Sequence, residues 1–134
     1  MRKIGWIGAG IMGQPMVIHL LNKGYEVHVY ARHPERVEQA KNAGAILEES
    51  IESLTSNVDV ICTMVGFPSD VKEVYDVIFS CIEAGKTCID FTTSSPKLAK
   101  ELYTKGKDGV DIYTKEKYIS VDGFKVECID TTGA

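Results

Sequence analysis

Three glycines, Gly8, Gly10 and Gly13, constrain this chain more than any other feature. An apolar run, Ile4-Gly5-Trp6-Ile7, leads into them. A helix-period pattern leaves them, carried by Ile11, Met12, Met16, Val17, Leu20 and Leu21 and closed by Gly24. A second apolar run follows at Val27, Val29 and Tyr30. Strand, G-x-G-x-x-G, helix, strand is the order of a dinucleotide-binding unit. Each glycine has a mechanical task in such a unit. Gly8 allows the tight turn off the strand, Gly10 lets backbone approach a pyrophosphate, and Gly13 lets the helix pack closely on the strand. The phosphates then face the free N–H groups and the positive end of the helix. Pro15 suits a first helical turn, which needs few of its own N–H groups.

The 134 residues suffice for one domain with its own core. Hydrophobic residues at 44% and charged residues at 25% are ordinary for a soluble globular chain. A net charge of -4 argues against a broad basic surface and so against a nucleic-acid partner. No apolar run is long enough to span a membrane, and residues 4–12 are too short and too glycine-bound for a signal peptide. Cys62, Cys81, Cys88 and Cys128 are scattered without a C-x-x-C pair. That pattern predicts no metal site and fits a reducing, cytoplasmic setting, with Cys62 and Cys88 as small buried strand residues.

The end of the second strand bears on cofactor choice. NAD-binding domains place an Asp or Glu there to accept from the ribose 2′-hydroxyl. This chain reads Tyr30-Ala31-Arg32-His33-Pro34, with no acid. Arg32 offers a planar fork of donors to a 2′-phosphate, which predicts NADP(H) over NAD(H), with NAD(H) still possible. His33 and Arg36 are candidates for the same pocket. Further on, Pro34 opens a short helix that Gly44 ends, Ala45-Ile46-Leu47 reads as a brief strand, and Glu48 to Leu54 as another short helix with a solvated acidic face. The continuous run from Val58 to Val65 predicts a central parallel strand. Its carboxyl end makes Met64, Val65 and Gly66 candidates to line the cofactor. Ser69 or Asp70 is placed to cap a helix whose core face is Val71, Val74, Tyr75, Ile78 and Phe79. A strand at Thr87–Phe91 then meets Thr92-Thr93-Ser94-Ser95-Pro96, hydroxyls suited to a nicotinamide amide or a substrate carboxylate, or to capping the helix that Pro96 begins.

The run Gly8-Ala9-Gly10-Ile11-Met12-Gly13-Gln14-Pro15-Met16, then Tyr30-Ala31-Arg32, then Asp90-Phe91-Thr92-Thr93-Ser94-Ser95-Pro96 resembles the β-hydroxyacid dehydrogenases. That family includes 3-hydroxyisobutyrate dehydrogenase, and the amino-terminal domain of 6-phosphogluconate dehydrogenase is related to it. The likeness covers roughly residues 3–103. It implies that the whole loop, with Ala9, Ile11 and Met12, holds the pyrophosphate, that Arg32 accompanies NADP use, and that Thr93 touches the nicotinamide side. Val65-Gly66 stands where the family has Leu-Pro beside the cofactor. Thr92 and Ser94 are the candidates on the substrate side. The family's substrate-binding Ser-Gly-Gly loop and lysine-bearing helical domain are not recognisable after residue 104, so no catalytic residue is nominated.

The fold expected is α/β, a Rossmann-type, doubly wound, mostly parallel sheet with helices on both faces. Residues 1–104 form the nucleotide-binding domain, and 105–134 a divergent tail with a hairpin around Asp122-Gly123. The function expected is the NADP(H)-binding part of an oxidoreductase that moves hydride between nicotinamide and a small β-hydroxyacid. The chain alone is expected to lack turnover. The alternative is a non-catalytic nucleotide-binding module or sensor. An apolar face left uncovered would favour a homodimer.

Overall fold

The computed structural model describes residues 2–8, 10, 13–65, 68–91, 109–114, 119–121 and 124–128. The first unit is strand β1 (Ile4–Ile7), helix α1 (Gly13–Asn22) and strand β2 (Val27–Tyr30). A 3-10 turn at Pro34–Val37 runs into α2 (Glu38–Asn42) and a two-residue strand, β3 (Ile46–Leu47). Then come α3 (Ile51–Asn57), β4 (Val60–Thr63), α4 (Pro68–Cys81) and β5 (Thr87–Asp90). Three strands follow: β6 (Asp111–Thr114), β7 (Ile119–Val121) and β8 (Phe124–Cys128).

Among the described residues these strands form one eight-stranded sheet in the order β3-β2-β1-β4-β5-β6-β8-β7. Every pairing is parallel except β7 with β8. The order reverses direction at β1 and β4, as in the doubly wound dinucleotide-binding sheets. β1 is buried along its whole length, which is why Ile4-Gly5-Trp6-Ile7 shows no alternation in sequence. Gly5 is part of that packing, because a Cβ there would lie 2.5 Å from Leu54 Cδ2.

The two faces have separate cores. Trp6, Val27, Val29 and Cys62 meet Val17 of α1 and Ala40 of α2 on one side. Ile61, Cys88 and Ile112 meet Leu54 of α3 and Val71, Tyr75 and Ile78 of α4 on the other. Trp6 stacks on Phe91, ring centroids 5.5 Å apart at 14°. α3 is capped by Ser50, whose Oγ accepts from the Ser53 backbone N–H at 3.0 Å.

Three details depart from the sequence reading. β6 is not among the expected strands, yet it pairs parallel to β5, with Cys88 opposite Ile112. α4 starts at Pro68, so Ser69 and Asp70 lie in its first turn rather than at its cap. Glu48 is not on a solvated face: it hydrogen-bonds His28 Nδ1 at 2.7 Å, Asn57 Nδ2 at 3.1 Å and the Ser53 hydroxyl, and its side chain is only 9% exposed. The strands flanking residues 122–123 pair antiparallel, Val121 opposite Phe124, and form the sheet edge beyond β6.

Candidate cofactor-binding site

The carboxyl ends of β1, β2 and β4 open into one cleft of about 460 Å³. It lies where the connections from β1 and β4 diverge, the point at which an open parallel sheet leaves a crevice. Gly8 and Gly10 line it from the β1–α1 turn, Ala31, Arg32 and His33 from the end of β2, and Met64 and Val65 from the end of β4.

The glycines of the turn differ in what demands them. Gly8 has φ +91°, and a Cβ on it would lie 2.2 Å from the Met64 carbonyl oxygen. That carbonyl belongs to a segment fixed to β1, because the Met64 N–H donates to Ile7 O at 2.9 Å. Gly13 is buried, and a Cβ there would come 2.9 Å from Trp6 Nε1 and 3.0 Å from Gly8 O. Gly10 is the contrast: among the described residues a Cβ there would meet nothing within 4 Å. Its carbonyl accepts from the N–H groups of Gly13 at 3.1 Å and Gln14 at 3.0 Å, so it stands at the head of α1. Among the described residues nothing fills the space above Gly10, and Gly10 lines the cleft. The first turn of α1 carries no acidic side chain, which leaves the positive end of the helix unopposed.

The rim is electrostatically mixed. Arg32, His33 and Arg36 line it on one side, and Asp70 and Glu73 of α4 on the other. Arg32 Nη2 lies 3.3 Å from Glu73 Oε2, with both side chains largely in solvent. His33 Nδ1 lies 3.6 Å from Glu35 Oε1. Sequence reasoning did not place Asp70 or Glu73 at this cleft. Their spacing of three puts them on one helical face, but Glu73 and Arg32 are 41 positions apart, and no local pattern links them.

Behind the cleft a buried polar chain ties β4, β5 and α4 together. Thr63 Oγ1 donates to Asp90 Oδ1 at 2.9 Å, which leaves the Tyr75 hydroxyl to donate to Thr63 Oγ1 at 2.9 Å. Burial, and after it the charge of Asp90, pushes the Tyr75 hydroxyl well above its usual range. Burial also pushes the Cys62 thiol up to about 12 and raises that of Cys88. Neither thiol is suited to nucleophilic work.

Of the residues the sequence nominates, Gly8, Gly10, Ala31, Arg32, His33, Met64 and Val65 come together on this one cleft. Gly13 packs beneath it, against Trp6. Ala9, Ile11, Met12, Gly66, Thr92, Thr93 and Ser94 lie outside the described residues. Among the described residues no group of acids, histidines and cysteines is placed to hold a metal ion.

The family model for the NAD binding domain of 6-phosphogluconate dehydrogenase matches residues 3–111. The match runs past residue 103, where the expected likeness ends, to the first residue of β6. The uncharacterised oxidoreductase YkwC of Bacillus subtilis is 44% identical over 110 residues, 80% of this chain and 38% of that protein. The 2-hydroxy-3-oxopropionate reductase of Escherichia coli is 34% identical over 119 residues, 81% of this chain and 39% of the reductase. An imine reductase from Myxococcus stipitatus, solved in complex with NADP+, is similar in structure with a TM-score of 0.70 and 27% identity, over 76% of this chain and 36% of that one. The chain thus spans less than two-fifths of the length of each of these relatives.

Proposed function

From the premise that this chain belongs to the family of the NAD binding domain of 6-phosphogluconate dehydrogenase, we propose that its cleft holds NADP(H) in preference to NAD(H) for a hydride-transferring oxidoreductase. The observation that carries this reading is the open space over Gly10 at the head of α1, on the same cleft as Arg32. The pyrophosphate lies over Gly8 and Gly10 against the first-turn N–H groups of α1. Arg32, with Arg36 beside it, receives the 2′-phosphate as a charge-assisted pair. Ala31 and His33 border the adenosine end, and Met64 and Val65 supply apolar surface from β4. Ala9, Ile11, Met12 and Gly66 are proposed as further cofactor-binding residues, and Thr93 as the one that meets the nicotinamide side, on the family resemblance of their motifs.

The nicotinamide supplies the hydride once bound; the chain's own residues bind and orient it. The substrate of the whole enzyme is a small β-hydroxyacid, for which Thr92 and Ser94 are the candidate binding residues. No lysine is among the described residues that line the cleft, so cofactor holding rather than proton transfer is assigned to them. Residues 1–104 are the nucleotide-binding unit, and the chain by itself does not turn over a hydroxyacid. A homodimer in the cytoplasm, with neither nucleic acid nor membrane as a partner, completes the reading. The net charge of -4 supports the lack of a nucleic-acid partner, and the use of Cys62 and Cys88 as core residues supports the cytoplasmic setting. No helix among the described residues is long and apolar enough to cross a membrane.

The test is a paired titration with NADPH and NADH that follows nicotinamide fluorescence. NADPH should bind more tightly, and Arg32→Ala should weaken it by roughly 10- to 100-fold, the range for a lost hydrogen bond to a charged group, with NADH unaffected. Equal binding of both cofactors would remove Arg32 as the selector. Binding of neither would overturn the assignment of the cleft.

A further inference from the structure

The second strand ends without the acid that would accept from a ribose 2′-hydroxyl, yet the cleft does contain an acid at Arg32. It comes from the other side of the switch point, on α4. Glu73 Oε2 sits 3.3 Å from Arg32 Nη2, and the two side chains are 70% and 65% exposed. Arg32 therefore already has an anionic partner before any phosphate arrives.

We infer that Glu73 is a specificity-determining residue that sets the balance between the two nicotinamide cofactors by competing with the 2′-phosphate for Arg32. This inference rests on the reading that the cleft takes NADP(H). Two effects act together. A 2′-phosphate must displace the Glu73 carboxylate from the guanidinium fork, and it then stands beside a like charge. NAD(H) has no such phosphate, and for it Glu73 is a nearby acceptor that β2 does not provide. The exposure of the pair keeps the effect moderate, because water and salt screen it. It also means that replacing Glu73 disturbs no packing. Asp70 lines the same cleft without contacting Arg32 and serves as the comparison.

The experiment is the same fluorescence titration with NADPH and NADH on the full chain and on Glu73→Gln, Asp70→Asn, Arg32→Ala and the Arg32→Ala/Glu73→Gln pair. Glu73→Gln should tighten NADPH by about five- to tenfold, from the lost competing pair and the lost repulsion, without tightening NADH. The gain should shrink as salt rises from 50 mM to 500 mM, should exceed that of Asp70→Asn, and should largely disappear when Arg32 is already absent. If Arg32→Ala costs NADPH affinity but Glu73→Gln leaves the NADPH-to-NADH ratio unchanged, the role of Glu73 is wrong and the cleft assignment stands. If Arg32→Ala changes nothing, or no variant binds either cofactor, both fall.

Discussion

Replacing Gly8 and Gly10 separately by alanine should produce very different stability outcomes, although both lie in one turn. At Gly8 the alanine must adopt φ +91°, in the left-handed region that costs an L-residue about 1–2 kcal/mol. Its Cβ would also sit 2.2 Å from the Met64 carbonyl oxygen and 2.8 Å from the Met64 carbonyl carbon. Met64 has little room to retreat, because its N–H is held by Ile7 O at 2.9 Å and β4 is paired with β1 immediately before it. Relief requires the ends of β1 and β4 to separate, an overpacking strain of about 1–3 kcal/mol. The stiffer unfolded chain returns about 0.4–1 kcal/mol. The net loss is roughly 1–5 kcal/mol, a substantial part of the 5–15 kcal/mol typical of a domain. Gly10→Ala meets no atom of the described residues beyond its chain neighbours within 4 Å, so its change should stay within about 1 kcal/mol of zero. Urea unfolding followed by circular dichroism measures both. The packing argument fails if Gly8→Ala is as stable as the wild type, or if Gly10→Ala loses as much as Gly8→Ala.

Three further outcomes concern Tyr75, Glu48 and the cysteines. Tyr75→Phe removes one donor from Thr63 while the Thr63–Asp90 bond remains, so urea unfolding should show a loss of about 1 kcal/mol, and no loss would contradict the hydrogen-bond chain. Burial raises Glu48, but bonds from Ser53, His28 and Asn57, together with the charge of His28, outweigh it and hold the carboxyl below its usual value. A lowered pKa contributes stability above the ordinary carboxylate value and loses it as pH falls through the lowered one. The stability gap between wild type and Glu48→Gln, from urea unfolding at stepped pH, should therefore be widest near neutrality and narrow on acidification; a gap that widens would reverse the sign. Cys81, at the end of α4 and partly exposed, should react with iodoacetamide before buried Cys62 and Cys88 when labelling of the folded chain is read by mass spectrometry. Equal labelling of Cys62 would contradict its burial.

The β1–α1–β2 unit was legible because its signals are local. The apolar run of β1 reflects burial on both faces, and the helix period of α1 reflects one face set on the sheet through Val17. The missing acid after β2 was likewise visible, since Arg32 follows the strand directly. What the sequence could not show depends on partners brought from far along the chain. Glu73 reaches Arg32 only because α4 starts at the switch point, and Glu48 is drawn inward by His28 on β2 and by Ser53 and Asn57 on α3. β6 was missed for a different reason. It has four residues, with Ile112 buried beside an exposed Asp111 and a half-buried Tyr113, which is too little alternation to stand out beside a lysine-rich stretch.

The central claim is that the space over Gly10 exists to admit a pyrophosphate. NADPH binding to Gly10→Ala, measured by nicotinamide fluorescence on protein shown by circular dichroism to be folded, tests it most directly. A methyl group there should push the diphosphate off the head of α1 and cut NADPH and NADH affinity alike, by at least about tenfold, while stability is retained. Wild-type affinity for NADPH in a folded Gly10→Ala chain would contradict the account.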